Sequence, residues 1–183
     1  MPRFLITAIA LASSCGLALA QSQTPPSGAE PFANSAGTVG QSTASGTQAK
    51  KGFVGNISDL TEKNSDFRRV LYTGKYLQLV LMSLKPGEDI GEEVHDNVDQ
   101  FFRIEEGSGE VVINGQSSSV KSDDAILVPA GARHNFKNTG KTDLRFYTLY
   151  GPSQHRDKTV HATKQQAESS EAPFDGKPSE PSD

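Results

Sequence analysis

Two short segments of the chain carry side chains that can bind a metal ion. The first segment contains Glu93, His95 and Gln100, and the second contains His134. Glu93 and His95 are two residues apart, so in a strand both side chains project from the same face. Two imidazoles and one carboxylate suit Mn, Fe, Ni or Zn as divalent ions, whereas the amide oxygen of Gln100 is a weaker, uncharged donor. These residue types predict a divalent-metal site formed by Glu93, His95, Gln100 and His134.

The spacing of apolar residues predicts the elements that must position this site. Between residues 53 and 151, about eight short strands alternate with turn signals roughly every 8–12 residues, which predicts an all-β antiparallel sandwich or barrel. Asn114-Gly115 is typical of a hairpin turn, because both residues tolerate a positive φ angle. We expect short helical turns beside this barrel, over residues 58–64 and after the capping residue Thr163.

The direction of Gln100 follows from strand alternation. Gln100 opens a strand in which Phe102 and Ile104 are apolar. If those two residues line the interior, Gln100 points inward with them and Asp99 points outward. His134 lies on a different strand, after a tight Pro-x-Gly turn. We therefore expect the four donors to converge at one end of a closed β-shell.

The two segments also match a known pair of motifs. The motif G-x5-H-x-H-x3–4-E-x6-G keeps its spacing from Gly87 to Gly107, and the motif G-x5-P-x-G-x2-H-x3-N keeps every position but the first from Asp123 to Asn138. The chain thus resembles the cupins, in particular the single-domain conserved-barrel (cupin type 2) proteins. This resemblance implies a double-stranded β-helix, or jelly-roll, barrel and a divalent metal held by three His and one Glu.

The donor set departs from the family pattern at two positions. Glu93 stands at the first His position of the family, and Gln100 stands at its Glu position. A carboxylate has therefore changed place, and we expect Glu93, His95 and His134 to bind the metal, with Gln100 as a weak fourth ligand or a hydrogen-bond donor beside it. The alternative is a pocket that has lost its metal, in which His95 and Gln100 are hydrogen-bonded polar groups.

These observations leave two functions open. In the first, the protein is a metal-dependent enzyme, an isomerase or a dioxygenase, that acts on a small polar substrate. Glu93 would then serve as general base if it does not bind the metal. In the second, the protein is a non-catalytic module that binds a small molecule or a partner without metal. The sequence shows no nucleophile–base pattern and no Gly-rich phosphate loop before a helix.

The N-terminal residues predict export. Residues 1–20 resemble a signal peptide, because Arg3 precedes a short apolar run and an A-x-A cleavage pattern ends at Ala20. The alternative is lipid attachment at Cys15, whose preceding residues faintly resemble a lipoprotein cleavage site. In either case we expect a periplasmic or secreted protein.

Polar composition sets the expected ends of the folded part. Residues 21–52 are rich in small and polar residues, which predicts a disordered linker. The polar composition of residues 152–183 likewise predicts a C-terminal tail that is mostly disordered after residue 168. His155 and His161 lie in this tail. We expect both to be solvated, unless the tail folds across the mouth of the barrel.

Charge and hydropathy exclude other classes of protein. Eighteen Lys and Arg against 22 Asp and Glu give a net charge of −4. This near balance, without a basic segment, does not favour nucleic-acid binding. No apolar run reaches the roughly 20 residues that a membrane-spanning helix needs. A jelly-roll sandwich has strand edges that need covering, so a homodimer is expected as one way to cover them.

Overall fold

The computed structural model describes residues 50–180, so the predicted export signal, the Cys15 alternative and most of the predicted linker lie outside the described residues. Within this range the chain forms nine strands and two short helices. In chain order these are α1 (Ile57–Glu62), β1 (Arg68–Thr73), β2 (Gln78–Leu84), β3 (Asp99–Glu106), β4 (Ser108–Ile113), β5 (Gln116–Lys121), β6 (Ala125–Val128), β7 (His134–Asn138), β8 (Leu144–Gly151), β9 (Val160–His161) and α2 (Lys164–Ser169). No helix among these residues is long or apolar enough to cross a bilayer.

The strands form two antiparallel sheets. One sheet has six strands in the order β6-β3-β8-β2-β1-β9, and the other has three in the order β5-β4-β7. Side chains alternate between the interior and the surface, most clearly along β8, as the period of two predicts. The rings of Phe102 and Phe146, from the large sheet, lie 4.3 and 5.6 Å from the ring of Phe136, from the small sheet. The two sheets therefore face each other across one aromatic core, and the predicted all-β jelly-roll fold is confirmed.

Two turns show how local sequence shapes the barrel. Asn114 and Gly115 join β4 to β5 with φ angles of 49° and 80°, which confirms the predicted hairpin. Asp123, which stands where the family motif has Gly, adopts φ 76°. Asp tolerates this left-handed region better than most residues, and its carboxylate accepts a hydrogen bond from Arg103 at 2.6 Å.

Both predicted helical turns form. The side chain of Asn56 caps α1 by accepting a hydrogen bond from the amide of Asp59 at 3.2 Å, so α1 begins one residue earlier than predicted. Thr163 caps α2, because its hydroxyl accepts a hydrogen bond from the amide of Gln166 at 3.3 Å.

The C-terminal tail is held against the barrel, although its composition predicts disorder. The strand β9 pairs with β1, the amide of Phe174 donates to the carbonyl of Gln154 at 2.9 Å, and the amide of Ser179 donates to the carbonyl of Thr73 at 2.8 Å. Composition predicts a chain that is mostly disordered after residue 168, since it contains little apolar surface to bury. The structure instead holds it through backbone hydrogen bonds, which composition does not reveal.

Candidate metal centre

His134 and Glu93 are held side by side by the backbone. The amide of Glu93 donates to the carbonyl of His134, and the amide of His134 donates to the carbonyl of Glu93, both at 2.9 Å. Glu93 lies in the connection between β2 and β3, whereas His134 opens β7 and pairs on its other side with Ile113 of β4. A residue that precedes β3 is thereby fixed against the small sheet, which brings the two predicted segments together.

Three of the four predicted donors converge. The ligand atoms of Glu93, His95 and His134 lie within 4.8 Å of one another. Oε2 of Glu93 lies 3.4 Å from Nε2 of His95 and 4.0 Å from Nε2 of His134. Donor atoms that bind one ion at about 2.1 Å are roughly 3–3.5 Å apart. The separation between Glu93 and His95 meets this requirement, and the separation between Glu93 and His134 exceeds it slightly.

The ring of His134 is prepared to donate a lone pair. Its Nδ1 lies 3.0 Å from the carbonyl oxygen of Ala132, which can only accept, so in the neutral ring Nδ1 carries the proton and Nε2 carries the lone pair. Nε2 is buried and has no hydrogen-bond partner among the described residues. Burial lowers the pKa of His134, although the hydrogen bond to Ala132 and the charge of Glu93 oppose this shift. His134 is therefore neutral at neutral pH, which is the form that binds metals.

Gln100 is buried inside the barrel. It is the second residue of β3 and pairs with Tyr150 of β8, whereas Asp99 faces outward and accepts a hydrogen bond from the amide of Ala130 at 2.9 Å. The predicted directions of Gln100 and Asp99 are thus confirmed. Neither amide atom of Gln100 makes a hydrogen bond of normal geometry with the described residues, although the hydroxyl of Tyr150 lies close enough to interact with the amide. An unpaired buried polar group costs about 1–3 kcal/mol, so a bound ion, water or ligand would relieve this cost.

Arg68 is a site residue that the sequence analysis missed. It lies in β1, is 6% exposed, and its Nη2 lies 3.6 Å from Oε1 of Glu93. Arg68 shares a strand face with Val70, whereas the adjacent Arg69 shares the other face with Leu71. Both faces therefore offer an apolar neighbour, and alternation by itself does not decide which arginine is buried.

His155 and His161 are both buried, so the expectation that they are solvated is wrong. The side-chain oxygen of Gln78 accepts a hydrogen bond from the amide of His155 at 3.0 Å, and Nε2 of Gln78 donates to the carbonyl of His155 at 2.6 Å. The His155 ring packs edge-on against Tyr150 at 5.1 Å, and Tyr150 packs against His95 at 6.0 Å. The tail thus reaches the second layer of side chains around the candidate centre.

Acid should destabilise the fold through these buried histidines. Burial, with the charge of Arg68, lowers the pKa of His155 to about 3, and burial also lowers the pKa values of His134 and His161. The unfolded chain titrates near 6.5 and binds more protons between pH 6.5 and 3, so stability is full above this window and falls as the pH falls through it.

For His155 alone we expect a loss of about 3 kcal/mol in the free energy of unfolding between pH 7 and 4, measured by urea denaturation of chelator-treated protein. The matched variant His155→Gln should lose less stability over the same interval. Equal pH dependence of the two proteins would contradict the assignment of a buried, neutral His155.

Comparisons with known proteins show which family and which fold this chain is similar to. A family model described as "Cupin domain" matches residues 80–150. The uncharacterized protein YrkC of Bacillus subtilis (strain 168) is 50% identical over 128 residues, which cover 66% of this chain and 68% of that protein. An uncharacterized protein of Acanthamoeba polyphaga mimivirus is 38% identical over 120 residues, 63% of this chain and 74% of that protein. The crystal structure of a Bacillus halodurans protein, 48% identical, covers 64% of this chain and 94% of its own with a TM-score of 0.64.

Proposed function

The chain belongs to the cupin family, and from this membership we propose that it binds one divalent metal ion at Glu93, His95 and His134. The observation that carries the proposal is the buried Nε2 of His134, which faces Glu93 at 4.0 Å and lacks a hydrogen-bond partner among the described residues. A divalent ion would satisfy this lone pair. When bound, Mn, Fe, Ni or Zn supplies a Lewis acid that polarises a substrate oxygen, and iron can also activate O₂.

Each side chain has a separate task in this proposal. His134 is the rigid donor, because β7 and the carbonyl of Ala132 fix its ring. Glu93 supplies the negative charge that stabilises a bound cation. His95, which is 20% exposed, faces the solvent side and completes the set. Gln100 is a weak fourth donor, or it donates a hydrogen bond to the substrate.

The surroundings favour a small polar substrate. The buried ring of Phe102 packs edge-on against His134 at 6.2 Å and gives the site one apolar side. The side chains of Glu93 and His95 are 24% and 20% exposed, so the site is open on one side. We propose a metal-dependent isomerase or dioxygenase, in which a Glu93 that does not bind the metal acts as general base.

A second function is favoured by one observation. Nη2 of Arg68 lies 3.6 Å from Oε1 of Glu93, so the charge of the carboxylate is partly offset without any metal. A metal-free cupin module could therefore hold a small molecule in the same pocket, with His95 and Gln100 as hydrogen-bonding groups.

Metal uptake distinguishes the two functions. We expect protein purified without a His-tag, stripped with chelator and then dialysed against Mn, Fe, Ni or Zn, to retain about one ion per chain by elemental analysis. An ion at 100 times its dissociation constant should also stabilise the fold by about 2.7 kcal/mol. If none of the four metals is retained and none raises the melting temperature, the metal-dependent proposal is wrong and the metal-free module stands.

A further inference from the structure

Arg68 brings a buried positive charge to the candidate metal centre. Its guanidinium is almost fully buried, and its Nε has no hydrogen-bond partner among the described residues. Its nearest carboxylate, that of Glu93, is 3.6 Å away, which is longer than a charge-assisted hydrogen bond. A buried guanidinium normally satisfies several of its five N–H donors. Arg68 therefore has donor capacity that the described residues do not use.

The charge balance of the centre changes when a metal binds. A divalent ion and Arg68 together carry three positive charges, and Glu93 supplies one negative charge, so the loaded centre has a net charge of about +2. Tyr150, His155 and His161 also interact with the charge of Arg68, and none of them adds a negative charge at neutral pH. The carboxylate of Glu171, which acts on His161, is exposed. A buried excess of positive charge is costly unless an anion accompanies it.

Further unpaired polar atoms lie on the inward faces of the large sheet. Oγ1 of Thr148 is buried without a hydrogen-bond partner among the described residues, and both amide atoms of Gln100 are buried without a hydrogen bond of normal geometry. Thr148 shares the inward face of β8 with Tyr150, and Gln100 pairs with Tyr150 across β3 and β8. Since Tyr150 also packs against His95, Gln100 lies beside the layer of side chains that contacts the centre and offers hydrogen bonds to a polar ligand, and Thr148 lies farther along the same face.

We propose, on the premise that the centre binds a divalent metal as described above, that the loaded centre binds a small carboxylate anion held by Arg68. A guanidinium presents parallel N–H donors whose spacing matches the two oxygens of a carboxylate. Tetrahedral phosphates are usually held by several cations or by a helix N-terminus. Besides the bound ion, the contacts of this centre within residues 50–180 include a single cationic side chain, Arg68, and no helix start, so a planar carboxylate fits better than a tetrahedral phosphate.

The test uses the full chain loaded with Co²⁺, whose visible absorption reports on its ligands. Titration with acetate should change this spectrum. The uncharged isostere acetamide should bind with an affinity at least about 10-fold lower. In Arg68→Gln the affinity for acetate should fall at least about 10-fold. The matched control is Arg69→Gln, next on the same strand but on the exposed face, where acetate affinity should not change.

The affinity for Co²⁺ shows whether Arg68 binds the anion directly or only supports the fold. Removing a positive charge near Glu93 should raise the affinity for Co²⁺ severalfold in Arg68→Gln, because the ion is no longer repelled. A misfolded variant would instead lose both ligands. Arg68→Lys, which keeps the charge but not the planar fork, should bind Co²⁺ as the wild type does and acetate with intermediate affinity.

The outcomes are distinguishable. If the wild-type protein takes up neither Co²⁺ nor any of Mn, Fe, Ni and Zn, the metal proposal fails and this inference fails with it. If Co²⁺ binds but acetate is not preferred over acetamide, or if inorganic phosphate binds more tightly than acetate, the carboxylate inference alone is wrong. Equal acetate affinity in wild type and a folded Arg68→Gln would likewise overturn the role of Arg68.

Discussion

Replacing His134 by alanine should lower the affinity for the proposed divalent ion at least about 100-fold. The ring is the most rigidly held of the three donors, because β7 fixes its backbone and the carbonyl of Ala132 fixes its tautomer. Loss of a hydrogen-bonding group that only orients a ligand already costs about 10–100-fold in metal affinity. Loss of the ligand itself should cost more. Competition with a chromophoric chelator for Zn²⁺ would measure the change.

The control for this experiment lies on the same strand. Lys137 is exposed on β7, on the opposite face from His134, so Lys137→Ala should bind Zn²⁺ as the wild type does. Circular dichroism should show both variants folded at 25 °C. Zn²⁺ affinity in His134→Ala within a few-fold of the wild type would remove His134 from the centre and leave the proposed metal function without its principal support.

Replacing Phe136 by alanine should reduce the free energy of unfolding by about 3–5 kcal/mol. Phe136 is fully buried, and its ring lies 4.3 Å from that of Phe102 and 5.6 Å from that of Phe146. Phe136, from the small sheet, contacts two strands of the large one, so truncation leaves a cavity between the sheets. Urea denaturation at pH 7 would measure the loss.

A surface variant provides the comparison. Leu127 lies on β6 with 73% of its surface exposed, so Leu127→Ala should change the free energy of unfolding by less than about 0.5 kcal/mol. A loss below about 1 kcal/mol in Phe136→Ala would show that the two sheets do not depend on this contact. Because Phe136 and His134 share the inward face of β7, a destabilised Phe136→Ala should also bind metal less tightly than the wild type.

Local patterns in the sequence accounted for most of the barrel. The alternation of Gln100, Phe102 and Ile104 predicted an inward face, and these three side chains are buried. The Asn114-Gly115 pair predicted a hairpin, which joins β4 to β5. Such features depend on residues that are close in sequence, and strand alternation and turn chemistry act over that range.

The homodimer and the export of the chain stay predictions.

The tail and Arg68 could not be found in this way. Gln78 and His155 pair across 77 positions of sequence, and β9 finds its place only because the edge of β1 is free to receive it. The polar composition of residues 152–180 reports on how much apolar surface they can bury. It carries no information about backbone partners supplied from elsewhere in the fold.

The amino-acid sequence by itself determined the all-β class, the inward direction of Gln100 and the residue types Glu93, His95 and His134 from which a metal site can be built. Only the tertiary structure decided that these three donors meet, through the backbone bridge between Glu93 and His134, and that Arg68 lies beside them. The physical reason is range. Alternation and turn propensity are properties of neighbouring residues, whereas burial, convergence and charge balance depend on strands that are distant in sequence.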